Sequence, residues 1–153
     1  MSVENPLIVS PSRQPAMRHL ILVIDNEFQL PGVLREGLAP IGFDVVWANV
    51  VAILGNEWLK KTQFEGIILN FDMRDHPGMA VLERLHEQGV EIPVIVMSSL
   101  SPREQLEEAV RKGARDYIVK PFDTALLREK CVRHFQPTVI MMSGDRWRTR
   151  DSS

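Results

Sequence analysis

Four short apolar runs in this chain end on residues able to do chemistry. Leu20 to Ile24 leads into Asp25, Asn26 and Glu27, Gly66 to Leu69 into Asn70 with Asp72 close behind, the run through Met97 into Ser98 and Ser99, and Ile118 and Val119 into Lys120. Among such groups a carboxylate is an anionic oxygen nucleophile that can become an acyl phosphate. A carboxamide cannot, because its oxygen is a neutral acceptor whose phosphoryl adduct does not persist. The amide at position 70 and the acid at position 72 therefore have different chemical prospects.

The elements between these residues must bring them together. From Leu20, short β-branched runs alternate with longer segments whose apolar residues recur at helical spacing, the pattern of a parallel sheet with crossover helices. Leu20 to Ile24, Asp44 to Ala48, Gly66 to Asn70, Pro93 to Met97 and Asp116 to Val119 read as strands, most of them continuously apolar as doubly covered strands are. Leu30, Leu34, Leu38 and Ile41 form one helical stripe, and Val50, Ile53, Leu54 and Trp58 another, both suited to core packing. Ser101, Pro102 and Glu104 make a capping box at the start of the fourth helix. Asp123 caps the fifth, whose Leu127, Cys131 and Phe135 share a face. Pro31 is compatible with the first helix only inside its first turn. Five strands alternating with five helices predict an α/β, flavodoxin-like doubly wound sheet, its parallel strands in the order 2-1-3-4-5 with helices on both faces. Such sheets bind ligands beyond the carboxyl ends of their strands, so the chemical residues are expected on one rim.

A chain of 153 residues, 44% hydrophobic and 25% charged, suits one globular domain. A formal net charge of -2 and a pI near 6.1 provide no positive field for nucleic acid or an anionic membrane, and neither is expected as a partner. No apolar run is long enough to span a bilayer, and the N-terminus lacks the basic and apolar regions of a leader. Cys131, the single cysteine, excludes an intramolecular disulfide, fits a reducing compartment and reads as a small core residue. A cytoplasmic protein is expected. Pro6, Pro11 and Pro15 mark residues 1–17 as a flexible arm, ahead of a domain over 18–136 and a short tail over 137–153. Within the tail, the charged stretch around Trp147 reads as a disordered end rather than a nucleic-acid contact, while Thr138 to Met142 is apolar enough to form a strand or dock on the domain.

With the turn Lys120-Pro121-Phe122 added to the strand-end residues, the segment from about Arg18 to Gln136 resembles the receiver domain of bacterial two-component response regulators. The resemblance implies a role for each rim residue. In that family an acidic pair after the first strand binds magnesium, and Asp25 and Asn26 stand at its two positions. The phospho-accepting aspartate lies eight positions before the glycine that opens the third helix, and with Gly78 as that glycine the position holds Asn70. Ser98 matches the hydroxyl that contacts the phosphoryl group, Lys120 the lysine that pairs with it, and Tyr117 the aromatic switch. Arg74 replaces the proline of the usual Met-Pro loop, and Asp72 falls where the family uses a backbone carbonyl as a metal ligand.

With amides at two matched positions, magnesium binding through Asp25, Asn26 and Asp72 is expected to be weak or lost, and no cofactor is required. Lys120, deprived of its usual carboxylate, is expected to turn toward Asp25 or donate to the Asn70 carbonyl. Asp72, beside Arg74 and Asp75, reads first as a solvated loop charge; the alternative is a carboxylate that swings to the rim as ligand or nucleophile. Glu27 reads as a helix-start charge and His76 as a solvated loop histidine.

The resemblance implies a non-enzymatic signalling module, and Asn70 in place of the acceptor aspartate makes it a phosphate-independent receiver by expectation, acting through the face of its fourth helix, fifth strand and fifth helix, with Arg111, Arg115, Tyr117 and Arg128 as contacts. The expected partner is a histidine kinase, an output protein or a second copy in a homodimer, since no DNA-binding or catalytic domain is recognised after Phe135. An alternative keeps phosphorelay chemistry, with Asp72 as acceptor. A flavin or nucleotide binder on the same fold is disfavoured, because Asp25, Asn26 and Glu27 repel phosphate where such a site needs a glycine-rich turn.

Overall fold

The computed structural model of the chain describes residues 19–26, 29–53, 58–75, 77–135, 139–142 and 146–149. Strands β1 (His19–Ile24), β2 (Phe43–Ala48), β3 (Gly66–Asn70), β4 (Val94–Ser98) and β5 (Asp116–Val119) form one parallel sheet in the order β2-β1-β3-β4-β5. Helices α1 (Gln29–Leu38), α2 (Val50–Ile53), α3 (Trp58–Lys61), α4 (Gly78–Glu87), α5 (Arg103–Arg111) and α6 (Thr124–Phe135) connect them. This is the expected doubly wound, flavodoxin-like sheet. The second crossover carries two short helices where one was expected, and Leu54 lies outside the described residues.

Strand alternation divides the core into two layers. Leu22 and Ile24 of β1 join Ile67, Leu69 and Val96 beneath Val81, Leu82 and Leu85 of α4 and Leu106 and Ala109 of α5. Ile21 and Val23 join Ile68, Ile95 and Ile118 beneath Leu34 and Leu38 of α1 and Leu127, Cys131 and Phe135 of α6. With both faces of every central strand covered, continuous apolar runs are the only ones that avoid burying unpaired polar groups. Gly66 permits the closest approach in the second layer, because a Cβ there would stand 2.2 Å from the Phe135 ring. Among the described residues no helix is long and apolar enough to cross a membrane.

Several local expectations hold and others are corrected. Pro31 falls at the third residue of α1, inside its first turn. Ile41 leaves the stripe of Leu30, Leu34 and Leu38, because α1 gives way to a 3-10 turn over Ala39–Ile41, and Ile41 is exposed. Asp123 caps α6 by accepting the Leu126 N–H at 2.7 Å. The capping box at Ser101 does not form: α5 begins after Pro102 without a side-chain cap, and the Ser101 hydroxyl is bound instead to the Ser98 hydroxyl at 3.0 Å. The tail is not an unpaired end. Strands β6 (Val139–Met142) and β7 (Arg146–Thr149) form an antiparallel hairpin in which Val139 pairs with Thr149 and Met142 with Arg146. Thr138 and the expected arm over residues 1–17 lie outside the described residues.

Candidate functional site

Register places the chemical residues at one level. Ile24 pairs with Leu69, Asn70 with Met97 and Ser98 with Val119, so Asp25, Asn70, Ser98 and Lys120 leave the sheet side by side. The ladders continue past the strand ends through Asp25 N–H to the Ala48 carbonyl, Phe71 N–H to the Met97 carbonyl and Lys120 N–H to the Ser98 carbonyl. The side chains above are therefore held by sheet geometry rather than by loop conformation alone.

Asn70 sits at the centre, only 6% exposed. Its Nδ2 donates to Asp25 Oδ1 at 2.9 Å. Its Oδ1 accepts from Lys120 Nζ and from the Asp72 N–H, both at 3.1 Å. The neighbours dictate this orientation, since a flipped amide would set oxygen against the Asp25 carboxylate and an NH2 against the Lys120 ammonium. Of the two expected directions for Lys120, donation to the Asn70 oxygen is the one observed.

Asp72 is not a solvated loop charge, and this corrects the first expectation for it. Its Oδ1 accepts from the Ser98 hydroxyl at 2.6 Å and its Oδ2 from the Ser99 N–H at 2.8 Å and the Ser99 hydroxyl at 3.1 Å. Lys120 Nζ lies 2.8 Å from Oδ2, with the Asp72 side chain 11% exposed. Burial alone would push the carboxyl up; hydrogen bonds from Lys120, Ser98 and Ser99, with the lysine charge, outweigh it and hold Asp72 at about 2. The physical reason for the correction is the hydroxyl-rich turn after β4, which offers an anion more donors than water contact at the loop would leave unsatisfied. Ser98 itself is 1% exposed, and with its O–H directed at Asp72 its oxygen accepts the Leu100 and Ser101 N–H groups at 3.2 and 3.0 Å.

The magnesium donors expected here do not assemble. Asn26 Oδ1 accepts the Val50 N–H at 3.0 Å, Asn70 turns its NH2 toward Asp25, and both Asp72 oxygens are engaged by Ser98, Ser99 and Lys120. Among the described residues no group of three His, Cys, Asp or Glu side chains is placed to hold a metal ion. A hard divalent cation requires several oxygen donors, and this arrangement offers it one buried carboxylate, Asp25. The described residues do not fit magnesium.

On the expected interaction face, Tyr117 is half-buried against the core beside α5, and a cavity of about 370 Å³ opens between it and Ser101, Arg103, Leu106 and Val119. Arg111 and Arg115 are exposed and border the clefts between α4 and α5. Arg128 is corrected: its Nε donates to the Gly37 carbonyl at 2.7 Å, which ties it to α1 on the far flank of α6. The cation on the β5 flank is Lys130, which reading the sequence missed. Its Nζ meets Asp116 Oδ1 at 2.9 Å and the Tyr117 carbonyl at 2.7 Å, and lies 5.3 Å from the Tyr117 ring centroid. Burial raises the Asp116 carboxyl, but Lys130, the Tyr117 N–H and His134 bring it below its ordinary range. Ser99 and the N–H of Leu100, 3.4 Å from Asp72 Oδ1, also gain a role that only the folded turn reveals. Glu27 and His76 lie outside the described residues.

Known proteins share this architecture. Residues 21–132 match the response regulator receiver domain model. The chain is 29% identical to the chemotaxis protein CheY-3 of Vibrio cholerae over 118 residues, 76% of this chain and 91% of that protein. It is 29% identical to the transcriptional regulatory protein QseB of Escherichia coli O157:H7 over 67% of this chain but 46% of QseB. The solution structure of the beryllofluoride-activated NtrC4 receiver domain dimer superimposes with a TM-score of 0.66, at 23% identity, over 76% of this chain and 96% of that one. With the family model matching residues 21–132, from within β1 to within α6, and with the strand order of a doubly wound receiver sheet, the chain belongs to the response regulator receiver domain family of two-component signalling.

Proposed function

We propose that this receiver signals without being phosphorylated, as a protein-interaction module rather than an enzyme. The observation that carries the reading is Asn70: at the acceptor position stands a buried carboxamide, hydrogen-bonded on one side to Asp25 and on the other to Lys120. It has no anionic oxygen to attack phosphorus, and the same contact removes Asp25 from a magnesium pair. Output then passes through the surface of α5, β5 and α6, around Tyr117, to a histidine kinase, an output protein or a second copy of the chain. The activated NtrC4 receiver is a dimer, which favours the second-copy form. A net charge of -2 and the absence of a long apolar helix among the described residues suit a cytoplasmic protein that contacts neither nucleic acid nor membrane.

One observation favours a second reading, in which Asp72 accepts phosphate: its carboxylate points at Lys120, as an acceptor must. Against it, Ser98, Ser99 and Lys120 already hold that carboxylate, so no donor remains to hold a transferred phosphoryl group. Incubation of the full chain with acetyl phosphate and magnesium separates the two. No stable label is expected on the unmodified protein, and calorimetry should detect magnesium and beryllofluoride binding only after Asn70→Asp. A stoichiometric label that disappears with Asp72→Ala would establish the second reading and end the first.

A further inference from the structure

The rim contains an anion site with its own anion in it. Five donors from the ends of two neighbouring strands converge on one carboxylate: the Ser98 hydroxyl, the Ser99 N–H, the Ser99 hydroxyl, the Leu100 N–H and the Lys120 ammonium. Two N–H groups, two hydroxyls and one ammonium arranged around two oxygens form the kind of cradle that binds a small oxyanion. Asn70 aims the occupant, because its Oδ1 accepts the Asp72 N–H and turns the chain at that residue toward β4.

We infer that Asp72 acts as a tethered anionic ligand of this cradle, standing where a small oxyanion such as inorganic phosphate would bind, and thereby fixes the turn that leads into α5. The fixation is traceable bond by bond. Asp72 accepts the Ser98 O–H, the Ser98 oxygen so oriented accepts the N–H groups of Leu100 and Ser101, and the Ser101 hydroxyl lies in hydrogen-bond contact with that of Ser98 at 3.0 Å. Pro102 and α5 follow at once, and Ser101 and Arg103 border the cavity beside Tyr117. The inference rests on the phosphate-independent reading and adds its regulation: the signalling surface is set from within the chain, by a side chain that cannot dissociate.

The experiment is amide NMR with hydrogen exchange on the full chain, with inorganic phosphate as the probe and chloride at equal ionic strength as the control. In the unmodified protein, Ser99 is exposed yet its N–H is bonded to Asp72, so it should exchange about ten-fold or more slower than a free amide. Phosphate should leave its resonance unmoved. In Asp72→Asn the Ser99 and Leu100 resonances should shift, protection should vanish, and phosphate should then bind saturably; Asp72→Asn with Lys120→Met should not bind it. Free-amide exchange at Ser99 in the unmodified protein overturns the inference without requiring any variant, and so does phosphate binding as strong before the substitution as after it. Failure of this kind leaves the phosphate-independent reading standing, whereas an acetyl phosphate label removes that reading and leaves Ser99 protection as it was.

Discussion

Replacing Asp72 by asparagine tests the energetics of the rim with almost no change of shape. The carboxyl is held at about 2 against an ordinary value of 3.8, and each unit of such a shift corresponds to about 1.4 kcal/mol of preference for the ionised form in the folded state. The difference is worth about 2 kcal/mol at neutral pH, and the 11% exposure of the side chain leaves little of it to solvent screening. An asparagine cannot recover it. Its oxygen can face either Ser98 or the Ser99 and Lys120 side, and its NH2 must then confront donors on the other. The sign with pH follows from a folded-state value below the unfolded one. The stability is fully present above the ordinary carboxylate value and is lost as pH falls through the folded-state value of about 2. Urea unfolding followed by far-ultraviolet circular dichroism should therefore show Asp72→Asn less stable by about 2 kcal/mol at neutral pH, with the gap narrowing by about half near pH 3. A gap under about 0.5 kcal/mol at neutral pH, or one that stays constant into acid, would refute the reasoning.

Three further outcomes follow from other parts of the fold. Asp116→Ala removes the partner of both Lys130 and His134 at a site about one-fifth exposed, and should cost about 1 kcal/mol, read as a lowered urea midpoint at unchanged slope. Gly66→Ala sets a methyl 2.2 Å from the Phe135 ring and must shift α6, at a cost of about 1–3 kcal/mol by thermal unfolding. Cys131 is fully buried and its thiol is pushed up to about 12 by that burial, so a thiol reagent should label it only as fast as the domain unfolds; fast labelling of the native protein would contradict the packing of α6.

The sheet was legible because its signal is local and redundant. Each strand lies in its own apolar run, and every expected strand limit falls within one residue of the observed one. Asn70 was legible for the same reason, as the last residue of such a run with a helix-opening Gly78 at a fixed distance. Asp72 was legible only as an alternative: its place two residues past Asn70 allowed a swing to the rim, and the carboxylate is found there, but the choice was made by the turn after β4, where whether the serines face a carboxylate or cap a helix depends on which arrangement satisfies more donors. Ser101 shows the competition directly: a good capping residue was drawn to Ser98 instead. Arg128 and Lys130 fail in a different way. Both flank the stripe of Leu127, Cys131 and Phe135, on opposite sides, and helical spacing identifies the buried stripe without saying which flank meets α1 and which meets β5.

Asn70 and Asp72 are better understood as one change than as two. Both reach Lys120, through Asn70 Oδ1 at 3.1 Å and Asp72 Oδ2 at 2.8 Å, and a single ammonium has one positive charge to distribute. A carboxylate at position 70 would lie against Asp25 as well, since the amide nitrogen there is 2.9 Å from Asp25 Oδ1. Three carboxylates around one lysine, without a metal ion, would repel one another strongly enough to protonate one or expel another. The neutral amide removes that repulsion, donates to Asp25, and turns the Asp72 N–H so that the acid is delivered to Lys120 from the loop. An amide at position 70 thus does not leave a gap in the site. It makes room, electrostatically, for an anion two residues further on, and through Asp72 the rim holds a lysine, a serine and a negative charge in contact.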